Sequence, residues 1–210
     1  MTPLLLPLLH PFTLGVIPEF ESPGHANSLY KARSDMGSVC YVDYRKTMPI
    51  QDLMNPCKNS TRESLRSLLR EYAVLFEDRR FHMGGDEVSY TCWDQDDTVQ
   101  PGCSFGSRGA SQLNETTYNE LEARFERLLH AELDLHGKAP MHWHDPIIER
   151  GIDYPRSTVV EVWDGTNRSV LAAVLAMGYP AIYAGSYYLD HLQLNWEDDL
   201  DNVDPGTFDQ

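Results

Sequence analysis

The sequence predicts an α/β fold built on a parallel sheet, and three observations carry that prediction. Short apolar runs bounded by proline and glycine alternate with longer stretches of helical periodicity. Polar and charged residues gather where the apolar runs end, the face on which parallel barrels do their chemistry. No internal repeat or low-complexity linker interrupts the 210 residues, so a single domain follows.

Leu14 to Pro18 reads as a short buried strand ending in a proline. Residues 61–77 place Leu65, Leu68, Leu69, Tyr72 and Phe76 on one helical face, with Ser60 and Glu63 as a capping box. A compact strand follows around Arg80 to Met83. Thr117 and Glu120 form a second capping box, and Leu121, Phe125, Leu128 and Leu129 mark a long helix that Gly137 ends. "KAPMHWHD" and "STVVEVWDG" read as strands, each running into an aromatic and a carboxylate. "SVLAAVLAMG" is a short apolar helix stopped by Gly178, and "PAIYAGSYY" is a fifth strand.

The net charge of −15, from 17 basic against 32 acidic residues, repels a phosphate backbone and argues against nucleic acid as a partner. Such a balance suits a neutral or cationic substrate. Cys40, Cys57, Cys92 and Cys103 contain no C-x-x-C pair, which leaves disulfides or buried thiols. Sequons at Asn59, Asn114 and Asn167, together with an even number of cysteines, point to a secreted or lysosomal setting. "MTPLLLPLLHPFTLG" has the apolar character of a signal-peptide core, but it lacks a basic start and carries three prolines. A displaced start, or an alternative exon joined to the middle of a domain, fits it better. No run is long enough to span a membrane.

The stretch "FHMGGDEVSYTCW" raises the chemical question. Gly84 and Gly85 free the backbone to bend at the strand end, so that Asp86 and Glu87 can both face the mouth of the sheet. Paired carboxylates beside Trp143, Trp163 and Tyr188 suit sugar chemistry. Glycosidic cleavage needs a proton donor and a negative partner for a developing cation, and aromatic faces pack on pyranose C–H faces. The plainer alternative is that the acids cap the next helix and the aromatics belong to the core.

"HMGGDEVSYTCW" resembles the H-x-G-G-D-E signature of family 20 glycoside hydrolases, the β-N-acetylhexosaminidases. "VIPEFESPGHANS" is similar to their third-strand segment, "VVEVWDG" to their sixth strand, and "YYLD" to the motif after the seventh. The resemblance implies an incomplete (β/α)8 TIM barrel holding strands three to seven, with residues 1–13 a non-matching segment and residues 14–210 a partial catalytic barrel. It also implies a retaining mechanism in which the substrate's 2-acetamido oxygen is the nucleophile. Glu87 would be the general acid and then base, its pKa raised by its neighbour and a partly dry pocket. Asp86 would hold the acetamido N–H, Tyr188 would donate to the acetamido oxygen, and Asp190 would bind hydroxyls. Trp143 and Trp163 would line the pocket, with His25 near the acid and His82 in support. Cys40 and Cys92 match a disulfide of the animal enzymes, which leaves Cys57 with Cys103. No cofactor or metal is implied. The partners are glycans ending in N-acetylglucosamine or N-acetylgalactosamine, and a complete enzyme of this kind is expected to form a homodimer.

The resemblance lacks the family's first two strands, with their sugar-gripping arginine and aspartate, and its last strand. The chain read alone is therefore expected to be weakly active or inactive, as a fragment, isoform or incomplete gene product. Two rivals stand beside this reading. A metal-dependent barrel hydrolase would use His142 and His144 of "HWH" with His82, Asp86 and Glu87. A sugar-binding remnant would keep the aromatic pocket without turnover. The preferred hexosamine and the natural glycan are not legible in the sequence.

Overall fold

A computed structural model describes residues 15–41, 49–50, 52–100, 102–103, 117–164 and 168–187. The described residues fall into two compact units, one up to Met141 and one from His142 onwards.

The first unit opens with a segment pairing with strand β3 (Arg80–His82). Phe20 N–H donates to the His82 carbonyl (2.8 Å), His82 N–H to Pro18 (2.9 Å) and Ser22 N–H to Met83 (3.2 Å). The pairing is a single parallel bridge, Glu19 to His82. The strand expected over residues 14–18 is thus displaced toward the C-terminus, and Leu14 lies outside the described residues. The reason is local: Val16 N–H donates to the Asp78 side chain instead of a neighbouring strand, and Ile17 is 45% exposed rather than buried.

Helix α1 (Asn27–Ala32) and a 3-10 turn at Ser34–Met36 follow. A small antiparallel pair, β1 (Cys40–Tyr41) with β2 (Pro49–Ile50), comes next. Helix α2 (Asn59–Leu75) starts earlier than the periodicity suggests. Its N-cap is Lys58, so the Ser60–Glu63 capping box does not form. Ser60 Oγ donates to the Asp35 carbonyl, while Glu63 accepts from Asn59 Nδ2 at 2.6 Å. The Asn55 carboxamide oxygen accepts from Cys57 N–H (2.9 Å) in a local Asx turn, which starts the helical path ahead of Ser60.

After β3 comes α3 (Tyr90–Gln95), then α4 (Tyr118–Leu135). Here the Thr117–Glu120 box is complete in both directions. Helix α4 ends in a Schellman motif: Lys138 N–H reaches the Leu133 carbonyl, Gly137 N–H reaches Asp134, and Gly137 takes φ +69°. Strand β4 (Ala139–Trp143) pairs in parallel with β3, Phe81 opposite Pro140, and carries the chain into the second unit.

The core of the first unit lies between α2, α4 and β3. Leu65 and Leu69 meet Phe125, Leu129 and Leu133, with Phe81 and Met83 from the strand. Arg66 and Arg70 on α2 reach Glu132 on α4 at 2.9 and 2.6 Å, tying the two helices beside that core. A second cluster packs Val88, Cys92 and Trp93 on Cys40, Leu53, Val99 and Leu121. Disulfides join Cys40 to Cys92 and Cys57 to Cys103.

The second unit holds α5 (Asp145–Ile148), β5 (Val159–Val162), α6 (Arg168–Ala176) and β6 (Ala181–Tyr183). β5 and β6 are parallel, Glu161 opposite Ile182, and α6 is the crossover between them. Gly178, at φ +84°, turns the chain out of α6. Among the described residues no helix is long and apolar enough to cross a membrane.

Candidate active site

The site is built where β3 ends. Phe81 and Met83 anchor the strand in the core, and the chain then turns through Gly84 (φ +66°) and Gly85 (φ +97°). A Cβ on Gly84 would lie 1.8 Å from Glu21 Oε2 and 3.1 Å from Glu21 Cα, so a side chain there would be strained by the positive φ and would have to displace the Glu21 carboxylate. The bend delivers Asp86 and Glu87 to different depths. Asp86 is 19% exposed and Glu87 61% exposed. One carboxylate is set back and the other is presented to solvent.

The second wall comes from "SPGH". Gly24 lies against the acid loop, where a Cβ would come 3.3 Å from the Asp86 carbonyl oxygen. The close approach brings His25 over both acids. His25 Nε2 is 3.3 Å from Asp86 Oδ2 and 3.4 Å from Glu87 Oε2, and Nδ1 is 3.9 Å from Asp52 Oδ2. Ala26 N–H donates to the Asp52 carbonyl at 2.9 Å, which fixes that residue beside the histidine.

Backbone conformation marks the same place. Among the described residues, the two non-glycine residues with positive φ are His25 (+47°) and Glu87 (+50°). Left-handed backbone costs an L-residue about 1–2 kcal/mol, and such strain gathers at functional sites. The Val88–Cys92–Trp93 cluster directly after Glu87 restrains it, with Trp93 Nε1 donating to the Met54 carbonyl at 2.9 Å.

His82 lies under the bend, where its Nδ1 accepts from Gly84 N–H at 3.2 Å. Its Nδ1 is 3.0 Å from Glu19 Oε1, in the pairing between the opening segment and β3. In the second unit, Trp163 Nε1 donates to Asp145 Oδ2 at 3.0 Å, and its ring lies 5.6 Å from that of His144. Trp143, at the end of β4, is half-buried. His142 stacks on Tyr154 at 4.5 Å. Tyr188 and Asp190 lie outside the described residues, as do the sequon residues Asn114 and Asn167.

Sequence reasoning missed Asp52 and Asp145. Asp52 lies 27 positions from His25 in an unremarkable loop, and only the fold places it there. Asp145 did carry a signal, as the carboxylate that closes "HWHD".

Two carboxylates held together at a strand end, one set back and one outward, are the groups that glycosidic cleavage calls for. The model of the glycosyl hydrolase family 20 catalytic domain matches residues 13–207. The chain is similar to the β-hexosaminidase subunit beta of Felis catus, 29% identical over 92% of this chain and 35% of that one. It is also similar to the human subunit beta, 30% identical over 83% of this chain and 30% of that one. Among solved structures, a chitobiase of Flavobacterium johnsoniae superposes with a TM-score of 0.70 at 24% identity, over 90% of this chain and 28% of the other. An exo-β-N-acetylglucosaminidase of Vibrio harveyi, in complex with N-acetylglucosamine, also superposes with a TM-score of 0.70, at 21% identity over 86% and 27%. The chain belongs to glycosyl hydrolase family 20. It spans about a third of the length of the relatives it matches.

Proposed function

We propose that residues 14–210 form the central part of a (β/α)8 catalytic barrel, strands three to seven, of an enzyme that hydrolyses terminal N-acetylhexosamine residues from glycans, the chain taken alone turning over weakly. The observation that carries this reading is His25 held over Asp86 and an outward-facing Glu87. The names of the relatives above support it, as does the N-acetylglucosamine bound by the Vibrio harveyi enzyme.

In the first step the acetamido oxygen of the substrate bonds to the anomeric carbon while the glycosidic oxygen leaves with the proton of Glu87. Asp86 accepts from the acetamido N–H and stabilises the oxazolinium charge. In the second step Glu87 takes a proton from water, the water oxygen bonds to the anomeric carbon, and the acetamide is restored. His25 positions both carboxylates, and His82 supports the β3 end. Trp143, Trp163, Tyr188 and Asp190 bind the sugar. We assign the protein to the lysosome or the secreted fraction, with glycans at Asn59, Asn114 and Asn167, and a homodimeric assembly to the full-length enzyme. The two disulfides fit an oxidising compartment.

N,N′-diacetylchitobiose tests the mechanism, because its sugar leaving group needs a proton. Glu87→Gln is expected to lower its hydrolysis about 10²–10⁴-fold. A thiazoline mimic of the oxazolinium is expected to bind the wild-type chain and to lose affinity in Asp86→Asn. Full hydrolysis by Glu87→Gln, or a chain that neither hydrolyses the disaccharide nor binds the thiazoline, overturns the proposal.

A further inference from the structure

We infer that Asp86, Glu87 and His25 form a binding site for a divalent cation of the zinc class, which takes the place of the proton on Glu87 and so holds the acid out of use. The three residues offer one nitrogen and two oxygen donors, all within 4.8 Å of one another. The two edges that meet at His25 have the length a tetrahedral zinc site needs. Bonds of about 2.0–2.1 Å in a tetrahedron place neighbouring donors about 3.3–3.4 Å apart. His25 Nε2 lies 3.3 Å from Asp86 Oδ2 and 3.4 Å from Glu87 Oε2. Magnesium, with octahedral bonds of similar length, needs donors about 2.9 Å apart and prefers an all-oxygen set.

Two further features point the same way. A metal-bound imidazole is normally held from behind by a carboxylate on its other nitrogen, and Asp52 Oδ2 stands 3.9 Å from His25 Nδ1. The ligand set is also open on one side, because Glu87 is the outward carboxylate, leaving a fourth position for water. All four cysteines are in disulfides, so no thiolate competes for a borderline-soft ion.

The inhibitory consequence rests on the reading of Glu87 as the acid, but the binding itself does not, and the two are measured separately. The 210-residue chain is titrated with zinc chloride by calorimetry in a buffer free of chelators. Cobalt(II) is titrated in parallel for the absorption that four-coordinate cobalt shows. A saturable site is expected whose zinc affinity falls at least ~10-fold in His25→Ala and ~10–100-fold in Asp52→Asn. Urea midpoints of both variants confirm that they fold. Zinc binding unchanged in folded His25→Ala, or no saturable binding, overturns the site. Competitive loss of N,N′-diacetylchitobiose hydrolysis, reversed by a chelator, is expected in the wild type and weakened in Asp52→Asn. Zinc binding that lowers neither hydrolysis nor the affinity for the thiazoline refutes the inhibitory role while the site stands.

Discussion

Glu87 holds a conformation that its own chemistry disfavours. At φ +50° it sits where glycine is at ease, and the strain persists because Val88 and Trp93 are fixed in the core on one side and Gly85 turns freely on the other. Glu87→Gly is therefore expected to raise stability by roughly 0.5–1 kcal/mol, the relief of strain being partly offset by the freer unfolded chain. The same variant loses the carboxylate and with it the proposed acid. A urea midpoint that moves up with an unchanged slope is the supporting result. The side-by-side acids and the two glycines before them were legible as a bend that presents both carboxylates. The unequal depths of Asp86 and Glu87 were not, since they depend on Gly24 and His25 arriving from 60 residues earlier in the chain.

At the scale of the elements, two capping boxes with similar sequences have opposite outcomes. Thr117 accepts from Glu120 N–H while the Glu120 carboxylate accepts from Thr117 N–H at 3.0 Å, so Thr117→Ala is expected to cost about 1 kcal/mol. Ser60 lies inside α2, and Ser60→Ala is expected to stay within about 0.5 kcal/mol. Chemical denaturation of the two variants side by side checks the contrast. Both long helices were legible from apolar spacing, because Leu65, Leu69, Phe125 and Leu129 must share one buried face. The start of α2 was not, because an Asx turn at Asn55 settles it before the periodic run begins. The opening strand was misplaced for a related reason. Its apolar residues suggest burial, but the Asp78 side chain takes its amide and the pairing moves to Pro18–Ser22.

For the whole molecule, acid is the informative stress. Burial, helped by the charge of Arg127, pushes His130 down from its ordinary range to about 4. The unfolded chain takes up that proton near 6.5, so this contribution is complete above that pH and is lost progressively as pH falls toward 4. The hydrogen bond from Arg70, joined by Arg66 and opposed by burial, holds the Glu132 carboxyl below its usual range. Its contribution is present above about 4.3 and declines below it. Both effects destabilise the fold on acidification. Urea unfolding at pH 7 and pH 4.5 is expected to show that loss, and His130→Gln is expected to reduce it. A difference between the two pH values that is the same in wild type and variant counts against the assignment. The α/β class and the run of strands with parallel partners were legible from the alternating pattern. The division near Met141 was not, as no proline- or glycine-rich stretch marks it.

The Cys40–Cys92 bridge has a bearing on survival among proteases. His25 precedes the first sulfur, while Glu87 lies between the two. A single peptide-bond break anywhere from residue 41 to residue 86 would leave the imidazole and the acid on separate polypeptides that stay covalently tethered. A nicked molecule of this kind runs at full mass on a gel without reductant and falls into two pieces only when the sulfurs are parted.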